Sequence, residues 1–170
     1  MSPEELSRAM REGNSPFLQN RRWIVGLSLY NIVAMGAISL FQMGILRRVP
    51  ELHLPGEDAD KINGSAQAYE ILQTPDAVLA IGSYAATAAL AAMGPPDRAD
   101  TLPWPALGLG VKALADAAFA GKLLIDQPTK YKAYCSWCVT GALATLAVVP
   151  LAWPEARAAW QHIRGGASHE

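Results

Sequence analysis

Three stretches of this chain run for twenty or more residues without a charge. They extend from Trp23 to Leu46, from Ala77 to Pro96 and from Ala133 to Pro154. A helix needs about 20 consecutive apolar residues to cross the hydrocarbon core of a bilayer. A fourth stretch, 102–125, has the length but holds Lys112, Asp116 and Lys122 among residues that are otherwise mostly apolar or small. The overall hydropathy is only mildly positive, because the charges are crowded into the ends and connections. The expectation is an all-α, integral membrane four-helix bundle: a polar tail over 1–22, a transmembrane domain over 23–155 and a second tail over 156–170. At 170 residues there is room for one domain, and a net charge of -1 leaves no basic surface for nucleic acid.

The stretch from Met1 to Arg22 is polar, with arginines at 8, 11, 21 and 22 and no apolar core of its own. The first span is therefore expected to act as an uncleaved signal anchor. Four spans put both termini on one side. That side carries seven basic residues (Arg8, Arg11, Arg21, Arg22, Arg98, Arg157, Arg164), against six on the other (Arg47, Arg48, Lys61, Lys122, Lys130, Lys132). The count favours termini inside by one charge, too small a margin to settle orientation alone.

The longest connection runs from Arg47 to Pro75. It opens with an irregular Pro50-Glu-Leu-His-Leu-Pro-Gly56 stretch, then offers the helix-starting acids Asp58 and Asp60. An apolar cluster at Ala68, Tyr69, Ile71 and Leu72 predicts a short amphipathic helix over one mouth of the bundle, with Tyr69, Ile71 and Leu72 facing it; a disordered loop is the alternative. With four spans, this loop shares a membrane face with the chain's only two cysteines, Cys135 and Cys138.

Cys135-Ser-Trp-Cys138 at a helix start sets two thiols three residues apart on one face, close enough to form and exchange a disulfide. A first-turn position, the helix dipole, and Lys130 and Lys132 just ahead are all expected to lower the Cys135 pKa. Cys138, almost a turn deeper, would face the apolar phase while Cys135 faces an aqueous partner. Zinc and iron–sulfur sites as a rule need four ligands, and a second cysteine pair or a suitably spaced histidine is lacking. A c-type haem needs His at 139, where the residue is Val. Two buried cysteines acting as small hydrophobes are the structural alternative.

At this point the sequence resembles the vitamin K epoxide reductase family and its bacterial homologues. The resemblance spans roughly residues 20 to 155. It rests on Lys132-Ala-Tyr-Cys135-Ser-Trp-Cys138 opening the fourth span, and on Ala68-Tyr-Glu-Ile71-Leu72-Gln-Thr74-Pro75 ahead of a second span containing Gly82. It implies a four-helix bundle with the first connection packed over a quinone pocket. It also implies an inner-membrane, multi-pass thiol–disulfide oxidoreductase that takes electrons from a thioredoxin-like or other thiol protein. Cys135 and Cys138 would be catalytic, and the acceptor a quinone of menaquinone or ubiquinone type, with no metal. The departure from the family is in the loop, where many members carry two relay cysteines. Ala68 stands at the position of the second, so a partner must reach Cys135 directly.

Trp137 could stack on a quinone, and Ser83, Tyr84 and Thr87 could hydrogen-bond a ring carbonyl; helix packing is the plainer role for each. Asn31 and Gln42 read as interhelix hydrogen-bonders first. Lys112 and Asp116, four apart, read either as a polar pocket wall or proton path, or as a self-neutralising pair that permits insertion. Lys122 and Asp126 fit snorkelling at the membrane edge. Asn63-Gly64-Ser65 matches a glycosylation sequon, and His53, His162 and His169 read as solvated. Two rivals remain: a non-catalytic membrane scaffold or assembly subunit, and a small-solute carrier using Lys112 and Asp116. The carrier lacks the internal pseudo-symmetry common among transporters.

Overall fold

The computed structural model describes residues 1–52 and 54–166; His53 and His169 lie outside them. Among the described residues the chain is helical throughout, with one isolated bridge between Glu57 and Tyr134 in place of any strand. A short helix α1 (Pro3–Glu12) opens with a capping box, Ser2 and Glu5 satisfying each other's backbone. Ser15 accepts from Leu18 N and Pro16 follows at the first helical position, so α2 (Pro16–Gln42) begins inside the polar tail. Then come α3 (Ala59–Asn63), α4 (Asp76–Ala92), α5 (Arg98–Thr101), α6 (Pro103–Asp126) and α7 (Ser136–Gly166). Two of these, α2 and α7, are long and apolar enough to cross a membrane. The 17 residues of α4 are apolar but shorter. In α6 the 24 residues include Lys112, Asp116, Lys122 and Asp126. Helix α7 runs unbroken through Pro150, Pro154 and Glu155, so residue 155 is not a structural boundary.

Small residues let the long helices approach closely. A Cβ built on Gly110 of α6 would lie 2.8 Å from Ala156 Cβ of α7. Ile24, Ala91, Leu109, Ala113, Val148 and Ala152 form one core where α2, α4, α6 and α7 meet. Asn31 in α2 donates to Gly141 O and Thr145 Oγ1 of α7, each at 3.2 Å, the interhelix bond expected of it.

Beyond that core lies a buried ionic knot. Arg98 is fully buried and grips Glu155 with two parallel bonds, 2.9 Å from Nε and 2.6 Å from Nη2. Its Nη1 reaches Leu90 O and Met93 O, while Arg21 donates to Ala91 O, Met93 O, Gly94 O and Pro95 O. The last carbonyls of α4, which have no intrahelical partners, are thus capped by two guanidinium groups sharing one carboxylate. Both arginines entered the topology count as surface charges. They are interior structural groups, and without them the count is five against six, so the one-charge margin for termini inside is gone. His162 lies at the surface, 3.6 Å from Asp100.

Candidate functional site

At the other end, the 47–75 connection folds over the start of α7. Asp58 caps α3 through Lys61 N; α3 and a single 3-10 turn (Ala66–Tyr69) take the place of one helix reaching Leu72. Ala68 is buried, and Tyr69 points inward to donate to Gln42 O at 3.0 Å. Leu72 does not face the bundle: it is 84% exposed with a left-handed φ of 53°. The chain must turn sharply there to enter α4 after Pro75, and that turn throws the side chain outward. Ile71 is half exposed but touches the cavity described below.

Polar bonds fasten this cover. Asp58 N donates to Tyr134 O and Tyr134 N to Gly56 O. Glu57 accepts from Ser136 Oγ and, at 3.4 Å, from Ser136 N, which places a carboxylate at the amino terminus of α7. The Ser136 bond holds the Glu57 carboxyl below its ordinary range. Gln67 accepts from Lys130 Nζ and Tyr131 Oη. Packing alone would leave the cover loose; these bonds fix its register.

Under the cover, Cys135 is the residue immediately before α7, and its sulfur serves as the helix cap. The Cys138 backbone N–H donates to Cys135 Sγ at 3.3 Å, in the way a capping serine oxygen would accept it. Gln127 holds the Cys135 backbone N–H at 2.8 Å. The two sulfurs are 2.8 Å apart, against about 2.0 Å in a disulfide. Asn63, at the end of α3, spans both: Nδ2 donates to Cys135 Sγ and Oδ1 accepts from Cys138 Sγ, each at 3.4 Å. The Cys138 thiol first of all, then Asn63 and the backbone, donate to Cys135, and together they lower its pKa against the burial that raises it. The direction is the expected one, and the N–H groups that open α7 contribute to it as expected; the lysines do not. Lys130 is engaged with Gln67 and lies over the Tyr131 ring, 5.4 Å from its centre.

Cys138 opens onto a cavity of about 240 Å³ between α2, α4, α6 and α7. Its wall is mostly apolar, from Met35, Ile38, Leu79 and Phe119, with polar contributions from Asp76, Ser83, Tyr84, Asp116 and Thr145. An apolar chamber with a few convergent polar groups is the usual form of a small-molecule site. Of the residues singled out in the sequence, Cys138, Ser83, Tyr84, Asp116, Ile71 and Asn63 line it. Trp137 is not among them: its indole N–H donates to Pro50 O at 2.6 Å, so its ring belongs to the cover. Thr87 is also off this wall, buried one turn deeper with bonds to Ser83 O and Asp116 Oδ2.

Asn63, Asp76, Glu57 and Gln127 join the site unforeseen. The sequon reading pointed Asn63 outward, yet it is 5% exposed with its amide bonded to Ala59 O and Cys135; a buried amide cannot carry a glycan. Asp58, a helix-starting residue five positions earlier, was the available signal that Asn63 ends a helical turn.

Residues 22–153 match the Vitamin K epoxide reductase family. The chain belongs to that family. The match covers most of the chain, from the start of α2 into α7, and takes in the cysteine pair and its cover. No curated protein and no solved structure matches the chain. Family membership, with two helices apolar enough to cross a bilayer, makes this a membrane protein of oxidoreductase type.

Proposed function

We propose that this protein is a multi-pass inner-membrane oxidoreductase that accepts electrons from a partner dithiol at Cys135 and Cys138 and passes them to a quinone. In this reading α2, α4, α6 and α7 are the four spans. Lys112 and Asp116 cross as an ion pair, which lowers the cost of charge at depth. The observation that carries the proposal is the division between the sulfurs: Cys135 lies under a polar cover on the solvent side, while Cys138 lines the apolar cavity. The two are within bonding reach of each other.

A quinone ring suits the cavity's chemistry, since apolar walls surround the hydroxyls of Ser83, Tyr84 and Thr145. A bound quinone supplies a two-electron, two-proton acceptor. The protein's part is to relay and to orient. A partner thiolate attacks Cys135 Sγ of the oxidised pair, the Cys135–Cys138 bond breaks, and Cys138 leaves as the thiolate on the cavity side. A second partner thiolate then resolves the mixed disulfide, releasing reduced Cys135 and an oxidised partner. Asn63 sits between the sulfurs, donating to Cys135 Sγ and accepting from Cys138 Sγ, an arrangement that favours the charge on Cys135. Cys135 is fully buried, so the cover must swing aside for a partner to reach it.

The test is quinone reduction by the full-length protein in lipid vesicles, with dithiothreitol as reductant and a short-chain ubiquinone as acceptor. Turnover should require both cysteines. Cys138→Ser should trap a cellular thiol protein on Cys135 as a mixed disulfide. Turnover indifferent to both cysteines would leave the scaffold reading in its place.

A further inference from the structure

The cavity's polar side carries more apparatus than ligand orientation requires. Ser83 of α4 lines it, and behind Ser83 stands Lys112 of α6, whose Nζ donates to Ser83 Oγ at 2.8 Å and to Asp116 Oδ2 at 2.5 Å. Asp116 also accepts from Ser83 Oγ and Thr87 Oγ1, each at 3.4 Å. Lys112 and Asp116 are each about one-fifth exposed. Behind the cavity, Asp116 and Tyr84 also wall a void of about 10 Å³, near the size that holds one water. Asn31 also lines this void, and its Oδ1 is buried and without a hydrogen-bond partner among the described residues. A pair whose only task was insertion would need neither the Ser83 bridge into the cavity nor the Thr87 bond to Asp116 behind it.

We infer that Lys112 is the proton donor for the cavity, acting through the Ser83 hydroxyl, with Asp116 as the counter-ion that keeps it charged at depth. The inference rests on the quinone reading of the cavity. Oxidation of the dithiol to the disulfide releases two electrons and two protons. The Cys135 proton leaves at the covered mouth as that sulfur becomes the thiolate. Cys138, released as a thiolate, takes the proton that the partner's second thiol gives up, and that proton enters the cavity with the electron pair. One proton is still required there. As the Ser83 O–H gives its proton into the cavity, an N–H of Lys112 breaks to restore it. Lys112, left as an amine beside Asp116, is recharged by a proton from water. The other ionisable groups facing the cavity are Asp76 and Tyr84 on α4 and Cys138 on α7; α2 contributes none.

Lys112→Arg separates charge from proton donation, because a guanidinium keeps the positive charge and the hydrogen bonds but does not surrender its proton. In vesicles with dithiothreitol and a short-chain ubiquinone, Lys112→Arg and Lys112→Met should both reduce the quinone about 10²-fold more slowly, the scale of lost general-acid catalysis. Ubiquinone affinity, measured by titration calorimetry without turnover, should stay within about threefold for Lys112→Arg, and Cys135 should alkylate at the wild-type rate. Should Lys112→Arg fold poorly, Ser83→Ala serves in its place. It keeps Lys112 and Asp116 paired, and should show the same slow reduction at saturating ubiquinone, where a hydrogen bond lost from binding no longer limits the rate. Wild-type rates in Lys112→Arg, or in Ser83→Ala at saturation, would overturn proton donation. Loss of rate and affinity together in Lys112→Arg would also overturn it, assigning that residue to binding alone. A wild-type protein that reduces no quinone would remove the functional reading itself, an outcome visible before any variant is made.

Discussion

The two ends of this molecule handle buried charge in opposite ways. At the Arg21–Arg98–Glu155 end, every interaction is closed: a carboxylate held by two bonds from one guanidinium, and α4 carbonyls capped by both. At the Cys135–Cys138 end, the polar atoms are shared rather than committed. Asn63 touches both sulfurs, Cys135 Sγ accepts from three donors, and the Glu57–Ser136 contact that shuts the cover lies at the surface. Breaking a buried ion pair by removing one partner is costly because the remaining charge stays buried. The proposed dithiol cycle would require the thiol end to change its bonding, and it is not built that way. The contrast separates the end that locks the fold from the end that the proposed cycle would rearrange.

Mutating each end should separate the two roles. The largest effect expected is from Cys138→Ser, which should drop quinone reduction to background while changing unfolding free energy by less than about 1 kcal/mol, one small side chain having replaced another. Next is Glu155→Gln, which leaves Arg98 and Arg21 buried without their carboxylate. It should destabilise the fold by about 3–5 kcal/mol in denaturant titrations in detergent. The fraction that remains folded should keep wild-type Cys135 alkylation. Equal damage to alkylation would mean the two ends are coupled.

Asn63→Ala should act within the thiol end alone. A hydrogen bond to a charged group is worth about 1.5 kcal/mol or more, so alkylation of Cys135 at neutral pH should slow roughly tenfold as its pKa moves back up. An unchanged rate would assign the low pKa to the helix cap and the Cys138 thiol.

The smallest effect concerns the cover. The Glu57 carboxyl titrates lower in the closed cover than it would when released. The Glu57–Ser136 latch is therefore fully present above the ordinary carboxylate range and is lost as pH falls through the depressed value. Glu57→Gln should mimic that loss at neutral pH, raising hydrogen exchange at the Ser136 amide a few-fold without altering unfolding. A latch insensitive to both would show that the backbone pairing of Asp58 and Tyr134 holds the cover unaided.

Much of this was legible in the sequence. The uncharged runs marked α2, α4 and α7, and their family match followed from where Cys135 and Cys138 fall. Local chemistry carried these readings, for a run's apolarity and a three-residue spacing need no knowledge of neighbours. Lys112 and Asp116 were legible as a pair for the same reason, being four apart on one helix. What escaped were residues whose meaning depends on a remote partner. Arg21 and Arg98 were counted as charges flanking the spans, and Glu155 only closed the last uncharged run, because Arg98 and Glu155 are 57 positions apart and Arg21 reaches carbonyls 70 or more positions away.

Asn63 and Glu57 looked like loop residues for the same reason, since Cys135 and Ser136 are 72 and 79 positions away. Trp137 looked like a ligand platform from its place between the cysteines, yet Pro50, 87 residues earlier, takes its indole N–H. By itself the sequence determined the long helices, the thiol pair, which sulfur lies deeper and the family. Only the tertiary structure decided which side chains wall the cavity beside Cys138, what lowers the Cys135 pKa and which charges are interior, because hydrogen bonds and burial depend on distance in space, and folding brings residues together without regard to their separation along the chain.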